Sequence, residues 1–275
     1  MKREFKLGSV PVVLYGEEAA RVFLFVHGLC GCKEEAERFA AVAVPRGWQV
    51  LAMDLPEHGG RKDEKRLVPW DVIPELQQVL RYAGGRYATI SVRATSIGAW
   101  FSMLAFADAL IDKCLFVSPL VDMPAMIRGM MAAAGVDRAR LKREKEIPTD
   151  AGQTLSWDCL CFAEAHPARA LCPDTAVLYG GADTTVPRET IDRFVRDNEC
   201  RLTVMPDGEH WFHTDAQLAY MRAFEEKALE CMLVCLQREP HRLQLRQFVF
   251  MQPYYMQLKL LPWKMKLSGM DTGQM

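Results

Sequence analysis

Ser96 stands in the pentapeptide Ala94-Thr95-Ser96-Ile97-Gly98, between an apolar run, "YATISV", and a helix-like run, "AWFSMLAFADAL". A serine hydroxyl is a poor nucleophile near neutral pH. It needs a base within hydrogen-bond reach and a third group to orient that base. It also needs exposure at a sharp strand–turn–helix corner with small neighbours. The segment supplies strand, corner and helix. Gly98 removes bulk after the serine, and Ala94 stands where a glycine would be expected. That is a mild crowding, provided the backbone at Ala94 does not require positive φ. The same pattern also suits a serine that merely caps a helix.

Other residues of chemical interest follow other apolar runs. In "FLFVHGLCGCKEE" a glycine-bearing turn ends a strand and turns backbone N–H groups outward, as an oxyanion hole requires. Its donors would be the N–H groups of Leu29 and Ile97. His27 reads as a strand-end residue buttressing this loop. Asp183, in "AVLYGGADTTVPRET", and His210, in "LTVMPDGEHWFHT", each follow a strand. An Asp in a Gly-rich turn is often only a turn former. His213 is a rival histidine at a helix start. Asp54 reads as structural, and Cys30 and Cys32 as small buried hydrophobes.

The elements that must position these residues alternate in type. Strands are expected at Glu4–Leu7, Val10–Leu14, Val22–Val26, Gln49–Met53, Ala88–Val92, Cys114–Val117, Ala176–Tyr179 and Arg201–Met205. Several are short and continuously apolar, as strands covered on both faces are. The first two are spaced for an antiparallel hairpin. Helices are expected at Glu34–Val44, Pro69–Tyr82, Gly98–Leu110, Arg188–Asp197 and Thr214–Gln237. This alternation implies a mostly parallel sheet with helices on both faces and sites at the carboxyl ends of its strands.

The 120–171 segment breaks the rhythm and reads as an inserted helical cap. Its Met123, Met126 and Met130 share helical spacing, and "DRARLKREKE" reads as a solvated helix face. A domain is expected over 1–238. The 239–275 stretch, without alanine and rich in Gln, Met and aromatics, reads as an added tail, poorly ordered or interfacial.

The chain resembles the α/β-hydrolase family, and its small single-domain serine hydrolases in particular. "HGLCG", "DLPEHGG", "ATSIG", "GGADTTVP" and "DGEHWF" occur in that family's order over about Val10 to Gln237. The resemblance implies an α/β-hydrolase fold: a mostly parallel eight-stranded sheet, helices on both faces and a small helical cap. It also implies a triad of Ser96, Asp183 and His210 in the order nucleophile, acid, base, with Leu29 and Ile97 as oxyanion donors. Asp122, after the preceding strand, is the alternative acid; Asp207 reads as a turn residue. The resemblance makes His58, in "MDLPEHGG", a loop feature near the pocket. Ala94 is the departure from the family pattern.

The activity so implied is hydrolysis of a small or medium acyl substrate, most simply a carboxylic ester. A thioesterase or serine peptidase would use the same groups. Lyase or cofactor-free peroxidase chemistry on this fold, or non-catalytic binding of a small molecule, remain alternatives.

Composition sets outer bounds. Of 275 residues half are apolar and a quarter charged, with a net charge of −1, which describes a globular chain without a phosphate-binding excess of Lys and Arg. Nucleic acid is therefore not an expected partner. No apolar segment nears the ~20 residues of a membrane span, and the N-terminus lacks a secretory pattern. The nine cysteines are expected as reduced thiols in a cytoplasmic protein. No metal, nucleotide or flavin motif is found.

Overall fold

The computed structural model describes residues 1–150 and 152–236, with side chains through 230. The expected tail, 239–275, lies outside the described residues. Met1–Leu233 form one compact unit.

Among the described residues eight strands form one sheet: β1 (Lys2–Leu7), β2 (Val10–Tyr15), β3 (Arg21–Val26), β4 (Gln49–Met53), β5 (Thr89–Thr95), β6 (Cys114–Val117), β9 (Thr175–Gly180) and β10 (Arg201–Met205). Their order is β1-β2-β4-β3-β5-β6-β9-β10. β1 pairs antiparallel with β2, and β2 antiparallel with β4. The remaining pairs are parallel. Each expected strand is present, within three residues at either end.

Strand order fixes where chemistry belongs. From β3 the chain moves outward to β4, then crosses back over β3 to β5 and continues in the other direction. The crevice outside the carboxyl ends of β3 and β5 is thus the topological switch point, where open α/β sheets bind ligands. The loop from His27 leaves β3 there, and Ser96 leaves β5 there.

Helices cover both faces because side chains alternate along each strand. Val22, Leu24 and Val26 of β3 join a core with Val72, Leu76 and Val79 of α2 (Pro69–Gly84) and Phe101 of α3 (Ile97–Ala105). Phe23 and Phe25 face the other way. They join Phe39 of α1 (Ala36–Ala43) and Phe224 of α8 (Asp215–Leu236). α7 (Arg188–Asp197) connects β9 to β10.

The long crossover between β6 and β9 holds α4 (Met123–Ala133), α5 (Arg138–Glu144) and α6 (Trp157–Ala165). It also holds a two-stranded hairpin, β7 (Glu146–Pro148) with β8 (Thr154–Ser156), which the helical expectation lacked. Ile147 and Leu155 pair in register and are both buried, while Glu146 and Thr154 are exposed, so the hairpin buries one apolar cross-strand pair. Met123 is buried, and Met126 and Met130 pack partly against the core. α5 buries only Leu141, as a solvated face requires.

Candidate active site

Ser96 sits at the corner between β5 and α3 with φ 49° and ψ −121°. This backbone is strained for a residue with a Cβ, and persists only where the surroundings over-determine it. Three main-chain bonds do so: Ser96 N–H donates to Val117 O (3.0 Å), and Ser96 O accepts from Ala99 N (3.1 Å) and Leu120 N (3.1 Å). The corner turns the Ser96 side chain away from the β5 core, and Ser96 Oγ lies 2.8 Å from His210 Nε2.

The two small residues of the pentapeptide have different duties. A Cβ on Gly98 would stand 2.2 Å from His27 O and 2.8 Å from Val26 O, so nothing larger fits. Ala94 is an ordinary strand residue, paired with Val26 and Phe116, and its φ is not positive. Its methyl group is fully buried and accommodated.

His210 lies on the loop after β10, and its Nδ1 is 2.7 Å from Asp183 Oδ2 on the loop after β9. Asp183 Oδ1 accepts from Thr185 N (2.7 Å) and Val186 N (3.0 Å), which fixes the carboxylate. An acceptor at Nδ1 puts the ring proton there and leaves the Nε2 lone pair toward Ser96. The Asp183 side chain has no exposed surface, and His210 keeps a small one. The two loops are stitched together: Gly181 N donates to Met205 O (2.7 Å) and Ala182 N to Gly208 O (2.9 Å). At Gly180 and Gly181 a Cβ would meet backbone oxygen at 2.3 Å, so the Gly-Gly pair is what lets the loops approach.

Asp122, the alternative acid, is engaged elsewhere. Its Oδ1 caps α4 by accepting from Ala125 N (3.0 Å), and its Oδ2 pairs with Arg193 (3.0 Å). His213 Nδ1 contacts Trp211 O and Glu209 rather than Ser96. Asp207 lies in the turn after β10.

The loop after β3 is held from beneath. His27, fully buried, donates from Nδ1 to Gly28 O (2.7 Å) and accepts at Nε2 from Leu55 N (3.0 Å). Burial pulls its pKa down to about 4, so it is neutral in this role. Leu29 is 49% exposed at the loop's crest. Its N–H and that of Ile97, at the start of α3, have no partner among the described residues. Asp54 is structural, as expected, accepting from Lys33 N (2.9 Å) and Lys33 Nζ (2.9 Å).

Cys30 corrects an expectation: it is exposed, and Cys32 is half-buried. Cys30 adopts φ 61°, a left-handed turn whose tight reversal leaves its side chain outside. Its N–H donates to His58 Nε2 (2.9 Å), while His58 Nδ1 donates to Pro56 O (2.8 Å). His58 thus braces the loop, a role the sequence does not signal.

Arg93 was also missed, although an arginine inside a buried apolar strand is itself a signal. Its Nε donates to Glu225 Oε1 of α8 (2.9 Å), and its Nη1 donates to Thr95 Oγ1, next to Ser96. Both charged side chains are 3% exposed.

No family model matches the sequence, and no curated relative matches it. Solved structures resemble the fold. Est1E from Butyrivibrio proteoclasticus, in a structure with ferulic acid bound, is 19% identical, with 86% of this chain and 99% of that chain covered at a TM-score of 0.65. Mouse alpha/beta hydrolase domain-containing protein 10 is 11% identical over 84% of this chain and 99% of that one, at 0.67. A thioesterase domain from the curacin biosynthetic pathway is 13% identical over 83% and 99%, at 0.54.

Proposed function

The chain has an α/β-hydrolase fold, and we propose that it is a serine hydrolase cleaving small or medium carboxylic esters through Ser96, His210 and Asp183. One observation carries the reading. Three side chains from separate strand ends make a continuous hydrogen-bonded chain, Ser96 Oγ to His210 Nε2 (2.8 Å) and His210 Nδ1 to Asp183 Oδ2 (2.7 Å), at the switch point of the sheet.

In the reaction proposed, His210 Nε2 takes the Ser96 proton as Oγ attacks the acyl carbon. The imidazolium that forms is stabilised by Asp183, which stays ionised. The N–H groups of Leu29 and Ile97 receive the oxyanion, as preorganised donors do at no reorganisation cost. His210 then protonates the leaving alkoxide. In the second half a water, deprotonated by His210, attacks the acyl-enzyme and releases the acid.

The proposed substrate size rests on what surrounds these groups. Leu29, in the loop after β3, and Trp211, which follows His210, are exposed apolar side chains, the latter 76% exposed. We assign the crossover of about 120–171 as a cap whose Met126 and Met130 are half-buried and adaptable. An aromatic acid such as the ferulic acid bound to Est1E is the kind of product an apolar acyl site would release.

A fluorophosphonate probe, followed by aryl esters of graded acyl length, tests the proposal. Labelling at Ser96 with ester turnover supports it. Absence of labelling in folded protein favours a binding protein, labelling with thioester turnover alone favours a thioesterase, and labelling with peptide turnover alone a peptidase.

A further inference from the structure

The proposed chemistry uses none of the thiols, and two of them meet at the opposite edge of the sheet. Cys114 is the first residue of β6, and Cys172 lies just ahead of β9, its neighbour in the sheet. In the β6–β9 register Cys114 faces Thr175. The two sulfurs are 3.8 Å apart.

The environments of the two thiols differ. Cys114 is completely buried. Cys172 is half-buried and lines a surface hollow of about 350 Å³ with Leu171, Pro173, Asn198 and Glu199. An oxidant therefore reaches Cys172 first, with Cys114 directly behind it. The segment is held in place. The Thr175 hydroxyl donates to Cys172 O (2.7 Å), and Lys113 Nζ pairs with Asp174 Oδ2 (2.7 Å). Burial pushes the Cys114 thiol well above its ordinary pKa, so exposure gives the first attack on an oxidant to Cys172 and leaves Cys114 to close the bond behind it.

We propose that Cys172 and Cys114 are a peroxide-responsive pair that closes to a disulfide and staples together the two ends of the β6–β9 crossover. The Cys172 thiolate attacks one oxygen of hydrogen peroxide, the O–O bond breaks, and a sulfenic acid and hydroxide form. The Cys114 sulfur then attacks the sulfenic sulfur, and the departing hydroxide takes the Cys114 proton. Two thiols and one peroxide become one disulfide and two waters. The sulfurs must close from 3.8 Å to about 2.05 Å, and half-buried Cys172 is the partner with room to turn.

The bond would join residues 58 apart in sequence, with the whole crossover between them. Closing so long a loop restricts the unfolded chain, so Tm should rise by about 5–10 °C on oxidation.

The full chain is treated with graded hydrogen peroxide, blocked with N-ethylmaleimide, digested without reductant and mapped by mass spectrometry. Expected are a Cys114–Cys172 linked peptide pair that dithiothreitol releases, and the rise in Tm. Cys172→Ser should abolish both, and Cys200→Ser, at the half-buried thiol that follows Glu199 of the same hollow, should leave both intact. In Cys114→Ala, dimedone should trap a sulfenic acid at Cys172. Cys172 linked to Cys200 or to a second molecule overturns the proposal. So does alkylation of both thiols after peroxide has oxidised other cysteines. No measurement here reads hydrolysis, so the outcome is independent of the proposed triad.

Discussion

His27 O lies 2.2 Å from where a Cβ on Gly98 would stand, so the loop after β3 and the helix after Ser96 touch backbone to backbone. That contact sets the spacing between the proposed oxyanion donors and the proposed nucleophile. Gly98→Ala must push the two apart. It should cost about 3 kcal/mol and lower kcat at least about tenfold, read by thermal unfolding and ester kinetics. Ala94→Gly, in a regular strand, should cost about 1 kcal/mol and leave kcat within about twofold.

Ser96→Ala should lower turnover by at least about a thousandfold, with Asp183→Asn comparably impaired because the imidazole would adopt the wrong tautomer. Circular dichroism should show both folded. An active Ser96→Ala enzyme would remove the proposed mechanism.

His58 braces the Cys30 N–H at 2.9 Å and, through it, the turn that presents Leu29. His58→Phe keeps the ring shape but loses the acceptor. It should reduce kcat about tenfold to a hundredfold with a smaller effect on KM. His58→Gln, which restores an acceptor, should recover part of the loss.

Burial holds the His27 pKa at about 4, below the 6.5 of an exposed histidine. Between those values the unfolded chain binds the extra proton, so stability rises with pH across that window and is flat above it. The full effect is about 3 kcal/mol. His27→Gln should flatten the dependence by up to one proton between about pH 4 and 6.5, measured by urea unfolding at graded pH.

The Arg93–Glu225 pair is buried, and burial raises the Glu225 pKa. Arg93→Met would strand a carboxylate, costing about 3–5 kcal/mol when ionised. A folded pKa raised above the unfolded one means stability present at low pH and lost as pH climbs through the folded value. The gap in urea midpoint between wild type and Arg93→Met should therefore be wider at pH 8 than at pH 5. Adding Glu225→Gln should remove the difference between the two pH values.

What the sequence determined by itself is local. Continuous apolar runs such as Val22–Val26 and Cys114–Val117 specify buried strands because both their faces are covered. The turns that follow them, with their Gly, Asp and His, mark the carboxyl edge where a site would be. At this level Ser96, Asp183 and His210 stand out as candidates, and only the family resemblance names them as a set. The crossover hairpin was not legible, since its strands are three residues each and too short for a period to stand out.

How these groups come to meet was decided by the tertiary structure. Asp183 rather than Asp122 reaches His210 because β9, not β6, lies beside β10 and the Gly180–Gly181 pair lets their loops touch. Arg93 finds Glu225 across 132 residues, and His58 finds Cys30 across 28. Cys114 and Cys172 come together only because β6 and β9 pair. Strand order in a sheet is set by the total burial of the folded chain, and no local window of sequence contains that sum.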